Sequence, residues 1–264
     1  MLLLTREPLW LLGLLLVGLT SLLACFGPRL VRRFVALEKL TTNNEVAGFK
    51  FATVGVLYAV LLAFAIILVW QKYSDADGTV EKEAGAAAAM YHLSSGLDEP
   101  QASALHTALT AYLQSAISNE WPAMESGKES KITHQSLDGL YKAVLATAKS
   151  QSGTPLISEI FSQLDAVTQA RRARILAAEG TVPGILWVVL FVGAVVTISF
   201  TFFFGTRNLR AQMLMTALLS VLIFSELLII VVLDRPFSGT VKVGPDAIAD
   251  VIADHAKVGA TTSP

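Results

Sequence analysis

The sequence predicts an all-α membrane protein: four transmembrane helices in two hairpins, with a helical extramembrane bundle inserted between them. Three observations carry that expectation. The 264 residues are 53% hydrophobic and only 16% charged, and mean hydropathy is +0.58, too apolar for an ordinary soluble domain. The apolar residues are concentrated in four runs, at about residues 10–26, 52–70, 184–204 and 211–233. A bilayer core of about 30 Å takes about 20 helical residues. The one long polar stretch, 73–182, shows helical spacing and no pair of strands joined by a hairpin turn. The chain therefore divides into a first membrane hairpin (1–72), a helical extramembrane domain (73–182), a second membrane hairpin (183–239) and a C-terminal tail (240–264).

The first run is the shortest, and its "LLAC" ending at Cys25 resembles a cleavage site. Its charge order is wrong for a signal peptide, because Arg29, Arg32 and Arg33 follow the apolar run. It is read as a retained span. The second run leads into "VEKEAGAAAAMYHL", rich in helix-forming Ala and Glu, so span two is expected to continue out of the membrane. Asp98-Glu99-Pro100 opens a helix with Leu105, Leu109, Tyr112 and Leu113 on one face, which Trp121-Pro122 is expected to end. Leu137, Leu140, Tyr141 and Val144 mark a second helix, and Thr154-Pro155 opens a third. "PDAIADVIADHA" in the tail adds a short helix.

Lys and Arg tend to stay in the cytoplasm. Both short interhelical loops are basic, one with Arg29, Arg32, Arg33, Lys39 and Lys50, the other with Arg207 and Arg210. The charge pattern therefore places the termini and the middle domain outside the cytoplasm. Arg171, Arg172 and Arg174 before span three, and Arg235 after span four, argue the other way.

Chemistry is sparse. His92, His106, His134 and His255 lack metal-ligand spacing and are read as surface or packing residues. The sequence contains no nucleotide-binding glycine loop, no nucleophile elbow and no zinc-protease motif. The only cysteine lies in an apolar run. The expectation is a protein that is not an enzyme, with no metal and no cofactor. Net charge is −1, so there is no overall basic signal for nucleic acid.

The polar residues inside the spans are the candidates. Glu226 lies eight residues before Asp234, about 12 Å below the helix end. An ionised carboxylate there is costly unless paired or hydrated, which makes it a candidate pathway residue. Thr53 and Tyr58 in span two, with Thr197 and Thr201 in span three, are further candidate lining groups. Gly55, Ala59 and Ala63 recur every four residues, and Gly193 leads a similar small face. Such faces let helices approach closely, within a chain or between chains. "DRPFSG" ends span four. Pro236 removes a donor and disfavours helix at Arg235, Asp234 and Arg235 leave the hydrocarbon, Phe237 anchors at the interface, and Gly239 permits a turn.

Together, "NNEVAGFKFATVGVLYAVLLAFAIILVWQKY", "VEKEA", "EWP", "ARRARI", "VPGILWVVL" and "LDRPFSGTVKV" resemble the bestrophin-like family of bacterial membrane proteins, over about residues 30–252. The resemblance implies a multi-pass protein of the bacterial inner membrane, kin to bestrophins, which are pentameric anion channels with four membrane helices per subunit. It also implies a cytosolic extramembrane part, opposite to the charge-based orientation. The chain carries no clear counterpart of the bestrophin pore-neck motif and no acidic calcium clasp. Three readings stay open: a homo-oligomeric ion channel, a non-conducting protein whose middle domain binds a protein partner or senses the envelope, and a stator-like motor unit, for which no motif is found. The lipid bilayer is a partner in each.

Overall fold

The computed structural model describes residues 8–150 and 154–261. The fold is all-α, and no strand occurs among the described residues. Four helices are long and apolar enough to cross a membrane: α1 Leu9–Phe34, α3 Asn44–Ser94, α8 Gly184–Thr201 and α9 Leu209–Leu233. The short α2, Leu37–Thr42, stands between the first two. α1 contains a π-helical stretch, Gly13–Leu19, and runs on through buried Pro28, eight residues past the expected end at Phe26. Proline interiors are tolerated in membrane helices because neighbouring groups take up the freed carbonyl. α3 is one unbroken helix of 51 residues, about 75 Å long at 1.5 Å per residue.

The remaining helices are α4 Gln101–Ser115, α5 Trp121–Met124, α6 Lys131–Ser150, α7 Pro155–Ala177 and α10 Asp246–Thr261. Trp121-Pro122 does not end the α4 helix as expected. A π-helical turn, Ala116–Glu120, joins α4 to α5, and Pro122 falls in the first turn of α5, where a missing N–H costs nothing. Extended Thr154 and Pro155 open α7 in the same way. Asn208 caps α9 by accepting from the Ala211 N–H at 3.2 Å.

The chain forms two compact units, Met1–Gln71 with Gly180–Asp234, and Lys72–Glu179 with Arg235–Pro264. In the first, α9 packs along α1 and against α8. Its apolar window is 44% buried, against 22% for α3, so α9 is the inner helix and α3 keeps an open face.

In the second unit α4 packs on α6, α6 on α7 and α10 on α4. Leu105, Leu109, Leu113, Leu140, Val144 and Ile160 form its core with Val80 and Met90 of α3. A charged network is buried beside that core. Arg174 of α7 donates from Nε to Glu83 at 2.7 Å and from Nη2 to Glu120 at 2.9 Å. Arg171, one turn earlier, donates from Nε to both Glu120 oxygens at 3.1 Å. The Tyr112 hydroxyl donates to Glu83 at 2.5 Å, and the Arg174 guanidinium lies 4.4 Å from the Trp121 ring centre. Arg174, Glu83 and Glu120 are fully buried. Burial opposes the charge on Arg174, but Glu83, with Tyr112 and Glu120, outweighs it and raises its pKa. Burial, then Glu83, pushes the Tyr112 phenol well above its ordinary value, so it stays a neutral donor.

Tertiary packing also gathers three histidines that the sequence scatters. His255 of α10 stacks on Tyr91 with ring centres 3.8 Å apart and meets His106 edge-on at 4.5 Å. Ser94 Oγ lies 2.5 Å from His106 Nε2. Burial, then His106 and His92, lowers the His255 pKa.

Two outcomes are expected. Arg174→Met leaves two buried carboxylates short of a partner and destabilises the protein by about 3–5 kcal/mol. Lys242→Ala breaks the half-exposed Lys242–Glu125 pair and costs under about 1 kcal/mol. Denaturant unfolding of both variants checks the contrast. The depressed His255 pKa means that docking of α10 is fully stable above the unfolded histidine pKa of about 6.5. That stability is lost as pH falls through this value toward the folded one. Corrected for the intrinsic pH dependence of amide exchange, the protection of α10 therefore falls as pH drops from 7.5 to 5.5, and His255→Phe, which keeps the stack, removes that fall.

Candidate functional site

A ridge of polar side chains on α9 faces the interior of the membrane unit. On α9, Gln212, Thr216 and Ser220 are buried at four-residue spacing, one above the other on one face. Gln212 sits at one end of this ridge, where its Oε1 accepts from Arg32 Nη2 of α1 at 2.7 Å. Arg32 also donates to the Thr206 carbonyl. Thr216 lies 3.3 Å from Thr201 of α8, oxygen to oxygen. The same end is tied by Asn44, whose side chain donates to the Gly205 carbonyl at 2.7 Å and accepts from its N–H at 2.9 Å. Only glycine fits at 205, because a Cβ there would stand 2.6 Å from the Thr41 nitrogen.

The predicted lining residues do not share one surface. Tyr58 is buried, and its hydroxyl donates to the Leu190 carbonyl at 2.8 Å. Its ring covers Gly193, where any Cβ would collide with it. Thr197 is 3% exposed, and Thr201 is partly buried, donating to the Ile198 carbonyl at 2.6 Å. Tyr58 and Thr197 are thus interior groups of one chain. Thr53 stands on the open face of α3, bonded back to the Phe49 carbonyl at 3.4 Å. Ala59 and Ala63 are exposed on α3, and nothing in the chain lies within 4 Å of a Cβ built on Gly55. Glu226 is half-buried and close enough to Tyr58 to act on it electrostatically. Among the described residues no hydrogen bond or ion pair reaches its carboxylate.

The end of α9 is built differently from expectation. Asp234 is 4% exposed, and its Oδ1 accepts from the Thr181 and Val182 N–H groups at 2.9 and 2.8 Å. The acid therefore fastens the loop that enters α8 to the end of α9. Phe237, expected at the membrane interface, is fully buried, edge-on to Trp121 with ring centres 6.1 Å apart. The reason is local. The Val243 N–H donates to the Pro236 carbonyl at 2.7 Å and Trp121 Nε1 to the Val243 carbonyl at 3.2 Å. These bonds fold 236–243 into a loop whose apolar side is Phe237. Gly239 takes φ of +90° within it. Arg235 leaves its Nε–H without a hydrogen-bond partner among the described residues.

The sequence alone did not single out Ser21, Gln212, Thr216 and Ser220, and it marked Arg32 only as a loop charge. The signal was present as polar residues at 212, 216 and 220 in an apolar run. Among the described residues no group of three His, Cys, Asp or Glu is placed to hold a metal ion.

Comparison with known proteins is consistent across sequence and fold. The Bestrophin-like domain matches residues 18–248. A bacterial bestrophin homologue from Klebsiella pneumoniae superposes with a TM-score of 0.70 at 13% identity, covering 96% of this chain and 99% of that one. A single-substitution variant of such a homologue gives 0.72 at 12% identity, covering 94% and 99%. A crystal structure described as a membrane protein gives 0.71 at 13% identity, covering 96% and 98%. A search of curated proteins gives no match. At these identities the structures speak for the fold, while the domain match spans most of the sequence: the chain belongs to the Bestrophin-like family.

Proposed function

We propose that the protein is a homo-oligomeric ion channel of the bacterial inner membrane, with anions as the expected cargo by kinship with bestrophins. One observation carries the reading. A single chain buries Tyr58, Thr197, Thr216 and Ser220, whereas the small face of α3, with Gly55, Ala59 and Ala63, has no partner among the described residues. A second copy seated on that face brings helices close through small side chains. A ring of such contacts leaves a path between subunits, bordered by the open face of α3 that carries Thr53. Glu226 stands on α9, away from that face, and serves as an intramembrane polar group, not a pore charge.

Orientation is the second part of the proposal. The two basic loops support an extracytoplasmic middle unit. Two of the opposing arginines, Arg171 and Arg174, are neutralised by Glu120 and Glu83 in the folded unit. Kinship with bestrophins argues for the reverse.

In liposomes the purified protein is expected to pass chloride. Gly55→Leu, whose Cβ has nothing within 4 Å among the described residues, should abolish both ring formation and flux while leaving the subunit's unfolding unchanged. Glu226→Gln should change neither rate nor selectivity. A wild-type protein that stays monomeric in nanodiscs and passes no ion overturns the channel reading. For orientation, Cys25→Ala with exposed Gln135→Cys is the probe. A membrane-impermeant maleimide applied to spheroplasts should label it. Protection until the membrane is permeabilised reverses the orientation to that of bestrophins.

A further inference from the structure

Three hydroxyls are buried inside the membrane unit with no bonding partner among the described residues. Ser21 of α1, Thr197 of α8 and Ser220 of α9 are 5%, 3% and 0% exposed. Among the described residues none of their oxygens has a hydrogen-bond partner. Serine and threonine in membrane helices ordinarily return their proton to a carbonyl one turn back, as Thr20 does to Leu16 and Thr201 does to Ile198.

Helix register brings the three to one level. Thr201 meets Thr216 at 3.3 Å across the antiparallel α8–α9 hairpin. Four residues back from the first is Thr197, and four on from the second is Ser220, about 6 Å along each helix. A Cβ added at Gly13 of α1 would stand 3.9 Å from Leu228 Cδ2 of α9. Eight residues back from Leu228, about 12 Å along α9, is Ser220, and eight on from Gly13, through the wider π-helical stretch of α1, is Ser21. The Phe202 ring lies over Gly27, where an added Cβ would collide with it. Six residues before Gly27 is Ser21 and five before Phe202 is Thr197, about 9 and 8 Å along two parallel helices. The Thr201–Thr216 and Gly27–Phe202 contacts thus place the three hydroxyls at a similar level. Ser220 also lies on the Gln212–Thr216 ridge, which fills the groove between α1 and α8.

The surroundings select the guest. The Arg32–Gln212 pair is eight residues from Ser220, about 12 Å away along α9. Ile223, Phe224 and Leu227 are buried on the other side. Glu226 is about 9 Å along the helix and about 240° around it. An ion here would have no counter-charge in a low dielectric, which is prohibitive. A neutral guest that donates and accepts suits three hydroxyls, and a buried water takes two to four such partners.

We propose that Ser21, Thr197 and Ser220 hold one water molecule that joins α1 to the α8–α9 hairpin. The site is separate from any path between subunits.

The test uses full-length protein in lipid nanodiscs. Thr197→Val keeps the side-chain shape, while Ser21→Ala and Ser220→Ala remove only an oxygen. Each should lower the apparent unfolding midpoint by about 2–4 °C at fixed scan rate, the worth of one hydrogen bond in a chain of this size. The triple variant should lose less than the sum, because the water departs once. A single-particle map should show one density among the three oxygens, retained in Thr197→Ser and absent in Thr197→Val. Neutral or stabilising singles, or strictly additive losses with no density, overturn the proposal in favour of unbonded or backbone-bonded hydroxyls. A midpoint that rises with bromide or chloride in the wild type but not in Thr197→Val makes the guest an anion, and overturns it too.

Discussion

The second unit depends on one buried guanidinium. Arg174 lies between Glu83 of α3 and Glu120 of the π-helical turn, over the face of Trp121. Burying a charge costs several kcal/mol unless its partners compensate. Here every partner is present: two carboxylates, two guanidiniums and a phenol that donates to Glu83. The charges sum to zero, so the cluster brings no net charge into the core. Its worth lies less in raw stability than in register. Glu83, Glu120 and Arg174 meet only when three helical segments are aligned to within part of a turn, and a slip of one residue would strand a charge in the core.

The same cluster explains the π-helical turn. Glu120 closes it, and the extra residue per turn rotates Glu120 and Trp121 toward α7 while leaving Leu109, Tyr112 and Leu113 on the core face of α4. Without the wider turn, Pro122 would fall in the helix interior, where it removes a hydrogen bond. The turn resolves both demands at once, and π turns recur where a side chain must be re-aimed.

The membrane unit is held by a different currency. Lipid offers no hydrophobic force between helices, so close packing and neutral hydrogen bonds must serve. Gly193 under the Tyr58 ring, Gly205 against Thr41 and the Asn44–Gly205 double bond are such contacts. Asp234 extends the pattern, because its carboxylate satisfies two backbone donors at the entrance to α8. Unpaired N–H groups near a bilayer are costly, which gives the acid at the end of α9 a structural purpose. The outward faces, among them Val56, Phe64, Ile185 and Leu218, are left apolar for lipid or for other copies.

Much of this was legible in the residues alone. Length and hydropathy decide the four spans, since only a helix satisfies its own backbone in hydrocarbon. The leucine spacing of 105, 109 and 113 decides a helical middle domain. The ordered set of motifs from Asn43 to Val243 decides the family. Those signals are local, read from neighbours in sequence. What the fold decided is long-range: which arginine meets which glutamate across 91 residues in sequence, that His92, His106 and His255 form one cluster, and that Phe237 is a core residue. The same holds for the hydroxyls of Ser21, Thr197 and Ser220. No periodicity within one helix reports its rotation against another, because that angle is set by side-chain packing between helices.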